Sequence, residues 1–563
     1  MKTILTTLNA KYIHTSPALR WLYVANKDRF DVSFKEYIVK DDIHKMADEL
    51  LSARPDIIGM GIYIWNVTKS RALAALLKAR KPSLILIAGG PEVSYEPEFF
   101  LNDGIIDFVI SGEGEFVLGE LLETLSSNNR SGNLEKINIE SISHRYRINK
   151  TPAKADLEKL SRLPSPYRLD DDRQNRQNRY VYFETSRGCP YQCHYCLSSL
   201  EKGVRFFPLD YVFQNLEYLI NNNARQVKFT DRTFNLNQDR TRQVFDFLIT
   251  RYKPGLSFQF EIYPDLLTEE LIDELNNALP PHYFRFEIGI QSTFEPTNRA
   301  IDRKQNFALV AAHIQQLMEG QKVDLHLDLI AGLPYESYDR FKKSFNEVFA
   351  LGSKEVQLGF LKMLRGTAIR RDADLHGYLY NPNAPYEIFS NKYVSSEELK
   401  RLRLVEFALD IYWNSGKLKR TMQALFDTVF ENRYFELFDE IGQSFVEHPL
   451  PSQGYLLEDI FRHLHRFLQS KEINLFDELR KDYYSCFKIR PHGFWENRMD
   501  TKTRKRILHQ IANDKPFLSA HGLNRYTIEK QATIDLIDQQ NYLLTVFSSD
   551  KAPLFLTYPL LDR

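Results

Sequence analysis

Over the first 128 positions, apolar residues fall into short blocks of two kinds. The runs Ile4–Leu8, Val32–Val39, Asp56–Ile64, Leu84–Ala88 and Ile105–Ile110 are mainly apolar and of strand length. Between them, Ala18–Ala25, Lys45–Leu51, Ser70–Ala79 and Glu115–Leu125 place apolar residues at helical spacing. Strand–helix alternation of this kind predicts a doubly wound parallel sheet, an α/β fold that binds ligands beyond the carboxyl ends of its strands.

Residues 129–178 break the pattern. The polar stretches Ser126–Gly132 and Asp170–Asn178 flank a short expected strand, His144–Ile148, and read as a linker. Alternation then resumes over residues 179–375. Expected strands are Tyr180–Thr185, Gln226–Phe229, Ser257–Ile262, Tyr283–Ile288, Val323–Ile330 and Glu355–Phe360, with helical patterns such as Leu209–Asn221 and Leu267–Asn276 between them. Six strand–helix units predict a partial barrel whose reactive face is the carboxyl end of its strands. Residues 376–563 form a mainly helical C-terminal region that ends in strand-like runs, Thr533–Leu536 and Leu543–Ser548. Its aromatics, Tyr412–Trp413, Phe426, Phe430, Tyr434–Phe435, Phe438, Tyr483–Tyr484 and Phe494–Trp495, read as core.

Composition narrows the class. At 563 residues the chain is too long for one core. Lys plus Arg (74) equals Asp plus Glu (74), so no global field favours nucleic acid or an anionic membrane. No apolar run is long enough to span a membrane, and the N-terminus reads as a first strand rather than a signal peptide. With four cysteines, three of them together, a disulfide framework is not indicated, and a cytoplasmic location is expected.

The three cysteines stand in Cys189-Pro-Tyr-Gln-Cys193-His-Tyr-Cys196, directly after the first barrel strand. A closed zinc site needs four ligands, and a fourth from His194, between two ligating cysteines, would strain the loop. Three thiolates on a four-iron cluster leave one iron open, which fits the count better. Cys486, the remaining cysteine, reads as a buried thiol.

The segment Thr185-Ser186-Arg187-Gly188-Cys189-Pro190-Tyr191-Gln192-Cys193-His194-Tyr195-Cys196 resembles the signature of the radical S-adenosylmethionine (SAM) superfamily. The resemblance implies a 4Fe-4S cluster on Cys189, Cys193 and Cys196, with SAM on the open iron. Later segments resemble that family's SAM-binding strands. They nominate Tyr195 beside the cluster, Asp231 near the SAM amino group, Gln291 or Ser292 near its carboxylate or ribose, and Asp328 and Gly332 near the adenine. Asp231 reads equally well as a helix cap. Leu364-Arg365-Gly366-Thr367 stands where the family often has Gly-Thr after the sixth strand.

An open α/β domain ahead of such a barrel resembles the cobalamin-binding class of the superfamily. The matching pieces follow apolar strands and nominate Trp65, Asn66, Gly89, Gly90, Glu92, Gly112 and Glu113 as cobalamin contacts, with His14 and Thr15 on the loop after the first strand. Glycines there permit close backbone approach, and helix N-termini offer amide donors. His44, in a near match to the Asp-x-His-x-x-Gly motif of cobalamin mutases, lacks the glycine, follows the wrong strand and reads as exposed. The resemblance implies cobalamin with its own base detached and no histidine in place of that base.

The implied function is reductive cleavage of SAM at the cluster with methylation of an unactivated carbon. Alternatives are a radical rearrangement or cyclisation without methyl transfer, and a non-catalytic cobalamin-binding redox or regulatory protein. The implied partners are a small-molecule, lipid or peptide substrate and a low-potential electron donor such as flavodoxin or ferredoxin, with no evident nucleic acid. The C-terminal region resembles that of an uncharacterised branch of these proteins.

Overall fold

Strand β1 (Thr3–Asn9) is buried along its whole length, because it pairs with a parallel neighbour on each side. Those neighbours are β2 (Val32–Ile38) and β3 (Ile57–Gly61), and the sheet continues through β4 (Ile85–Gly89) and β5 (Phe108–Ile110). A sixth strand, β6 (Ile142–Ser143), runs antiparallel to β5. It comes from the segment expected to be a linker, and the His144–Ile148 strand expected there is instead a tight turn closed between His144 and Arg147. The order β2-β1-β3-β4-β5-β6 reverses direction at β1, the switch point where such sheets open a crevice for ligands.

Two cores cover the sheet. On one face Leu8, Ile58, Leu73, Leu77 and Leu86 pack with the helices Ile43–Ser52 and Val67–Arg80. On the other, Leu5, Leu19, Ile57, Leu118 and Leu122 pack with Pro17–Asn26 and Glu115–Ser127. Each fully buried Leu or Ile contributes about 1.5–3 kcal/mol, and this fixes the carboxyl edge of the sheet as a rigid shelf.

The computed structural model describes residues 1–127, 137–451, 454–489, 499–537, 541–548 and 551–559. Positions 128–132 of the polar stretch and the Phe494–Trp495 pair lie outside them.

The second sheet begins at β7 (Val181–Phe183), followed by a hairpin, β8 (Ser186–Cys189) and β9 (Gly203–Phe206), that carries the cysteine loop between its strands. It continues through β10 (Gln226–Phe229), β11 (Ser257–Glu261), β12 (Phe284–Gln291), β13 (Asp324–Ala331) and β14 (Glu355–Phe360). The order β14-β13-β12-β11-β10-β7 is parallel throughout, an open six-stranded barrel with its edges at β7 and β14. Along β12, Phe284, Phe286, Ile288 and Ile290 are buried while Arg285, Glu287, Gly289 and Gln291 alternate with them as half-buried. The apolar set packs under the helices, so the polar set faces the lumen.

The chain divides into two units, residues 1–399 and 400–563. The second holds the helices Lys419–Thr428, Tyr434–Glu447, Leu457–Ser470 and Phe476–Cys486, and an antiparallel sheet of Ala532–Leu536, Asn541–Val546 and Leu554–Pro559. Its aromatics Tyr412, Phe426, Phe438, Tyr483 and Tyr484 are buried, as helical spacing predicts. Buried His463 lies 2.8 Å from the Tyr412 hydroxyl and 3.2 Å from Ser444 Oγ, and burial holds its pKa down at about 4. Cys486 is half-buried rather than fully buried, because it ends its helix with Sγ 3.9 Å from the Lys417 carbonyl. No helix among the described residues is long and apolar enough to cross a membrane.

Candidate functional site

A cavity of about 560 Å³ lies between the carboxyl edge of the first sheet and the cysteine hairpin of the barrel. Its sheet-side wall is rich in glycine, with Gly59, Gly61, Gly89, Gly90, Gly112 and Gly114 all exposed to the space. A Cβ at Gly89 would find nothing closer than 3.9 Å, so the floor is open because the side chain is missing. Gly90 has φ +107°, and a Cβ there would meet the Ile62 carbonyl at 2.6 Å; only glycine lets the chain turn sharply off β4. Trp65 adds an aromatic shelf. Its ring stacks on Tyr63 with centroids 4.5 Å apart, and its Nε1 donates to the Leu8 carbonyl at 3.1 Å.

The opposite wall is charged. Glu184, Ser186, Arg187 and Gly188 lead into Cys189, and Leu197 and Ser198 follow Cys196, so both ends of the cysteine loop border the cavity. Cys193 is buried and Cys189 and Cys196 half-buried; all three are free thiols. Burial pushes the Cys189 and Cys193 thiols up, against hydrogen bonds from Tyr191 N and Thr233 at Cys189 and the Arg303 charge at Cys193. Among the described residues, no three Cys, His, Asp or Glu side chains close around a point for one metal ion.

Arg303 reaches the loop from beyond β12. It lies 3.9 Å from Cys193 Sγ, donates to the Tyr195 hydroxyl at 3.3 Å and to the Gly289 carbonyl, and is 9% exposed. Beside it Gln291 sits at φ +69° with its Oε1 buried and unbonded. A buried guanidinium next to an unsatisfied amide oxygen forms a polar cradle at the cysteine loop. The barrel lumen behind carries Glu261, Glu287 and Asp328; burial, then the Glu287 and Asp328 charges against Arg232, raises Glu261 to about 7. Asp328 Oδ1 lies 2.9 Å from His326 Nε2. Burial opposes charge on His326, but the Asp328 and Glu355 carboxylates outweigh it and push its pKa up to about 9.

The residues nominated from sequence separate into groups. Trp65, Gly89, Gly90, Glu92, Gly112 and Glu113 line the cavity. Glu92 is tied to Arg365 at 3.1 Å and to the Tyr386 hydroxyl, and Glu113 to Arg187 and Arg205. Asn66 is buried behind the wall, stapling the loop through Tyr63 N and the Leu8 carbonyl. His14 and Thr15 lie apart from the cavity. His14 Nδ1 is 2.6 Å from the Tyr182 hydroxyl, and Thr15 Oγ1 donates to the Tyr180 carbonyl. Burial, then Lys228, holds the His14 pKa below its usual value. His44 is exposed on its helix.

Of the SAM nominees, Tyr195 and Gln291 flank Arg303, and Asp328 faces the lumen. Asp231 is 1% exposed and accepts from Thr185 N, Thr185 Oγ1 and Ser186 Oγ, an anchor for the strand that leads into the loop. Ser292 donates to buried Glu336 at 2.7 Å. Gly332 gives its carbonyl to Tyr378 and Asn391, and its absent Cβ makes room for Ile388. Arg303, Glu261 and the partners of Arg187 escaped sequence reasoning. Arg187 is printed in the motif itself, but nothing local signals its distant glutamates.

Residues 4–122 match the B12 binding domain, 183–348 the radical SAM superfamily, and 374–550 a protein family of unknown function, DUF4080. A 2-(S-pantetheinyl)-carbapenam-3-carboxylate methyltransferase of Streptantibioticus cattleyicolor is 26% identical over 334 residues, 56% of this chain and 47% of the relative. The cobalamin-dependent radical SAM methyltransferase TokK of Streptomyces tokunonensis is 24% identical, with 56% and 47% covered. The chain thus spans about half the length of these curated relatives. The structure of the cobalamin-dependent SAM radical enzyme OxsB with aqua-cobalamin superposes with a TM-score of 0.60 at 14% identity, covering 86% of this chain and 81% of OxsB. That of the radical SAM methyltransferase TsrM from Kitasatospora setae, with tryptophan and a SAM analogue, gives 0.55 at 18% identity, covering 68% and 79%. The chain carries a B12-binding domain, a radical SAM domain and a DUF4080 region, in that order.

Proposed function

We propose that the protein is a cobalamin-dependent radical SAM enzyme that methylates an unactivated carbon. The observation that carries this reading is the shared cavity, floored by glycine on the B12-domain side and bordered by both ends of the cysteine loop. Cys189, Cys193 and Cys196, three free thiols on one loop between β8 and β9, are the residues that would hold a 4Fe-4S cluster. Trp65, Gly89, Gly90 and Gly112 would face cobalamin, and no histidine is among the described residues that line the cavity. When bound, the cluster with SAM supplies a carbon radical and cobalamin supplies methyl-group chemistry; the protein orients both and excludes water.

This chain's residues would then act as follows. Arg303, whose hydrogen bonds go to Gln305, Cys193, Tyr195 and Gly289, offers its charge to the SAM carboxylate, with Gln291 Oε1 as an acceptor beside it. Glu261 and Glu287 place carboxylates in the lumen, beside the Asp328–His326 pair, where they would face the sulfonium and ammonium of SAM. A small-molecule, lipid or peptide substrate would enter the barrel, and a low-potential reductant would supply electrons in a reducing, cytoplasmic compartment. The test is anaerobic incubation of the reconstituted protein with hydroxocobalamin, methyl-labelled SAM and a low-potential reductant. The reading requires 5′-deoxyadenosine and label on the bound cobalamin; their absence from fully loaded protein refutes it.

A further inference from the structure

Arg187 is two residues from Cys189, yet its charge is spent on the other domain. Its guanidinium lies 2.8 Å from Glu115, which opens the helix Glu115–Ser127, and 3.1 Å from Glu113 on the turn between β5 and that helix, and also grips Glu184 at 2.8 and 2.9 Å. Arg187 is 12% exposed, with Trp21 and Phe207 each 6.0 Å away. Arg205, on the facing strand of the same hairpin, closes the cluster by pairing with Glu113 and donating to the Ala155 carbonyl. All four of Glu113, Glu115, Glu184 and Arg187 line the cavity, and Glu115 Oε2 is buried there without a hydrogen-bond partner. The backbone leaves this hairpin little slack, since Gly188 sits at φ +94° and a Cβ there would meet the Gly203 carbonyl at 2.1 Å.

Building on the proposed function, we infer that Arg187 is a positioning residue that couples occupancy of the cobalamin cavity to the geometry of the cysteine loop. A ligand seated against Glu113 and Glu115 presses on the groups that hold the β8 strand. Conversely, anything that orders the cysteine loop fixes the Arg187 fork and, through it, the turn that lines the cavity. Coupling of this kind is reciprocal: if SAM on the loaded cluster tightens cobalamin, cobalamin tightens SAM by the same factor.

The experiment measures hydroxocobalamin affinity of the cluster-reconstituted protein, without reductant, in the absence and presence of saturating SAM. The wild type is expected to bind hydroxocobalamin about fivefold or more tighter with SAM present. R187Q is expected to bind each cofactor separately but with the ratio reduced to about one, and R187K, which keeps charge but loses the two-pronged fork, to fall between. E115Q removes the charge of one carboxylate that holds Arg187 at 2.8 Å and is expected to lower the ratio without loss of the cluster, which provides the reading if R187Q does not fold. Equal coupling in the wild type and R187Q, or unchanged coupling in E115Q, overturns the inference. A wild type that binds neither cofactor instead overturns the proposed function, and one that binds both without coupling overturns only the inference.

Discussion

The two walls of the cavity are built on opposite plans. The wall from the first sheet is glycine, backbone and one stacked aromatic pair, with its carboxylates turned into ion pairs. The wall from the barrel is charged and flanks both ends of the cysteine loop, with Arg303 against Cys193 and the lumen carboxylates beyond. A surface of missing side chains suits a large flat ligand that needs area and shape. A surface of buried charges suits a small polar ligand that needs orientation, because each unpaired charge there costs several kcal/mol. One cavity thus presents two recognition chemistries face to face.

Perturbations can break this contrast one wall at a time. The largest effect belongs to Cys193→Ala, expected to abolish iron–sulfur absorbance while hydroxocobalamin still binds; iron retained at wild-type level would undo the ligand assignment. Next is Arg365→Leu, which leaves Glu92, 5% exposed in its side chain, without its cationic partner at 3.1 Å. Removing one partner of a buried pair costs about 3–5 kcal/mol, visible as a lower midpoint in denaturant unfolding. No shift in midpoint would show that the pair does not fasten the sheet edge to the barrel.

Gly89→Leu tests the sheet wall alone. Filling the floor is expected to cost about 1–3 kcal/mol of cobalamin binding, about tenfold in affinity, with cluster absorbance kept. Unchanged affinity would mean the glycine floor is not where the corrin rests. The smallest effect tests the lumen. Glu261 titrates near 7 because burial and neighbouring carboxylates resist its charge. As pH falls from about 8 to about 6 it takes up a proton and the lumen loses negative charge, so SAM affinity is expected to fall about threefold. Glu261→Gln should flatten that dependence; the same slope in the variant would remove Glu261 from SAM binding.

The same contrast explains what could be read from the sequence. Every parallel strand of the two six-stranded sheets stands within a few residues of its apolar run, because strands buried under helices must be apolar whatever they pair with; antiparallel β6 was not foreseen. The cysteine loop was legible because its chemistry is local, three thiols within eight positions. Glycines after strands pointed at the cavity for a similar reason, since β4 ends directly at Gly89 and Gly90. Side-chain partners across the fold were not legible. Asp231 reads as a ligand by position but spends all its acceptors on Thr185 and Ser186. His14 follows the first strand, which nominates it as a cobalamin contact, and its Nδ1 lies 2.6 Å from the Tyr182 hydroxyl. Arg187 finds its glutamates 72 and 74 positions earlier, at Glu115 and Glu113, and periodicity carries no trace of such a pairing.

The central claim is that two cofactors occupy one cavity and face each other across it. Electron paramagnetic resonance of protein loaded with both, with the cobalt and the cluster each reduced to a paramagnetic state, tests this directly. The account predicts that each signal is broadened by the other and that the cobalt signal sharpens in Cys193→Ala. Two unperturbed signals from a single doubly loaded protein would contradict it.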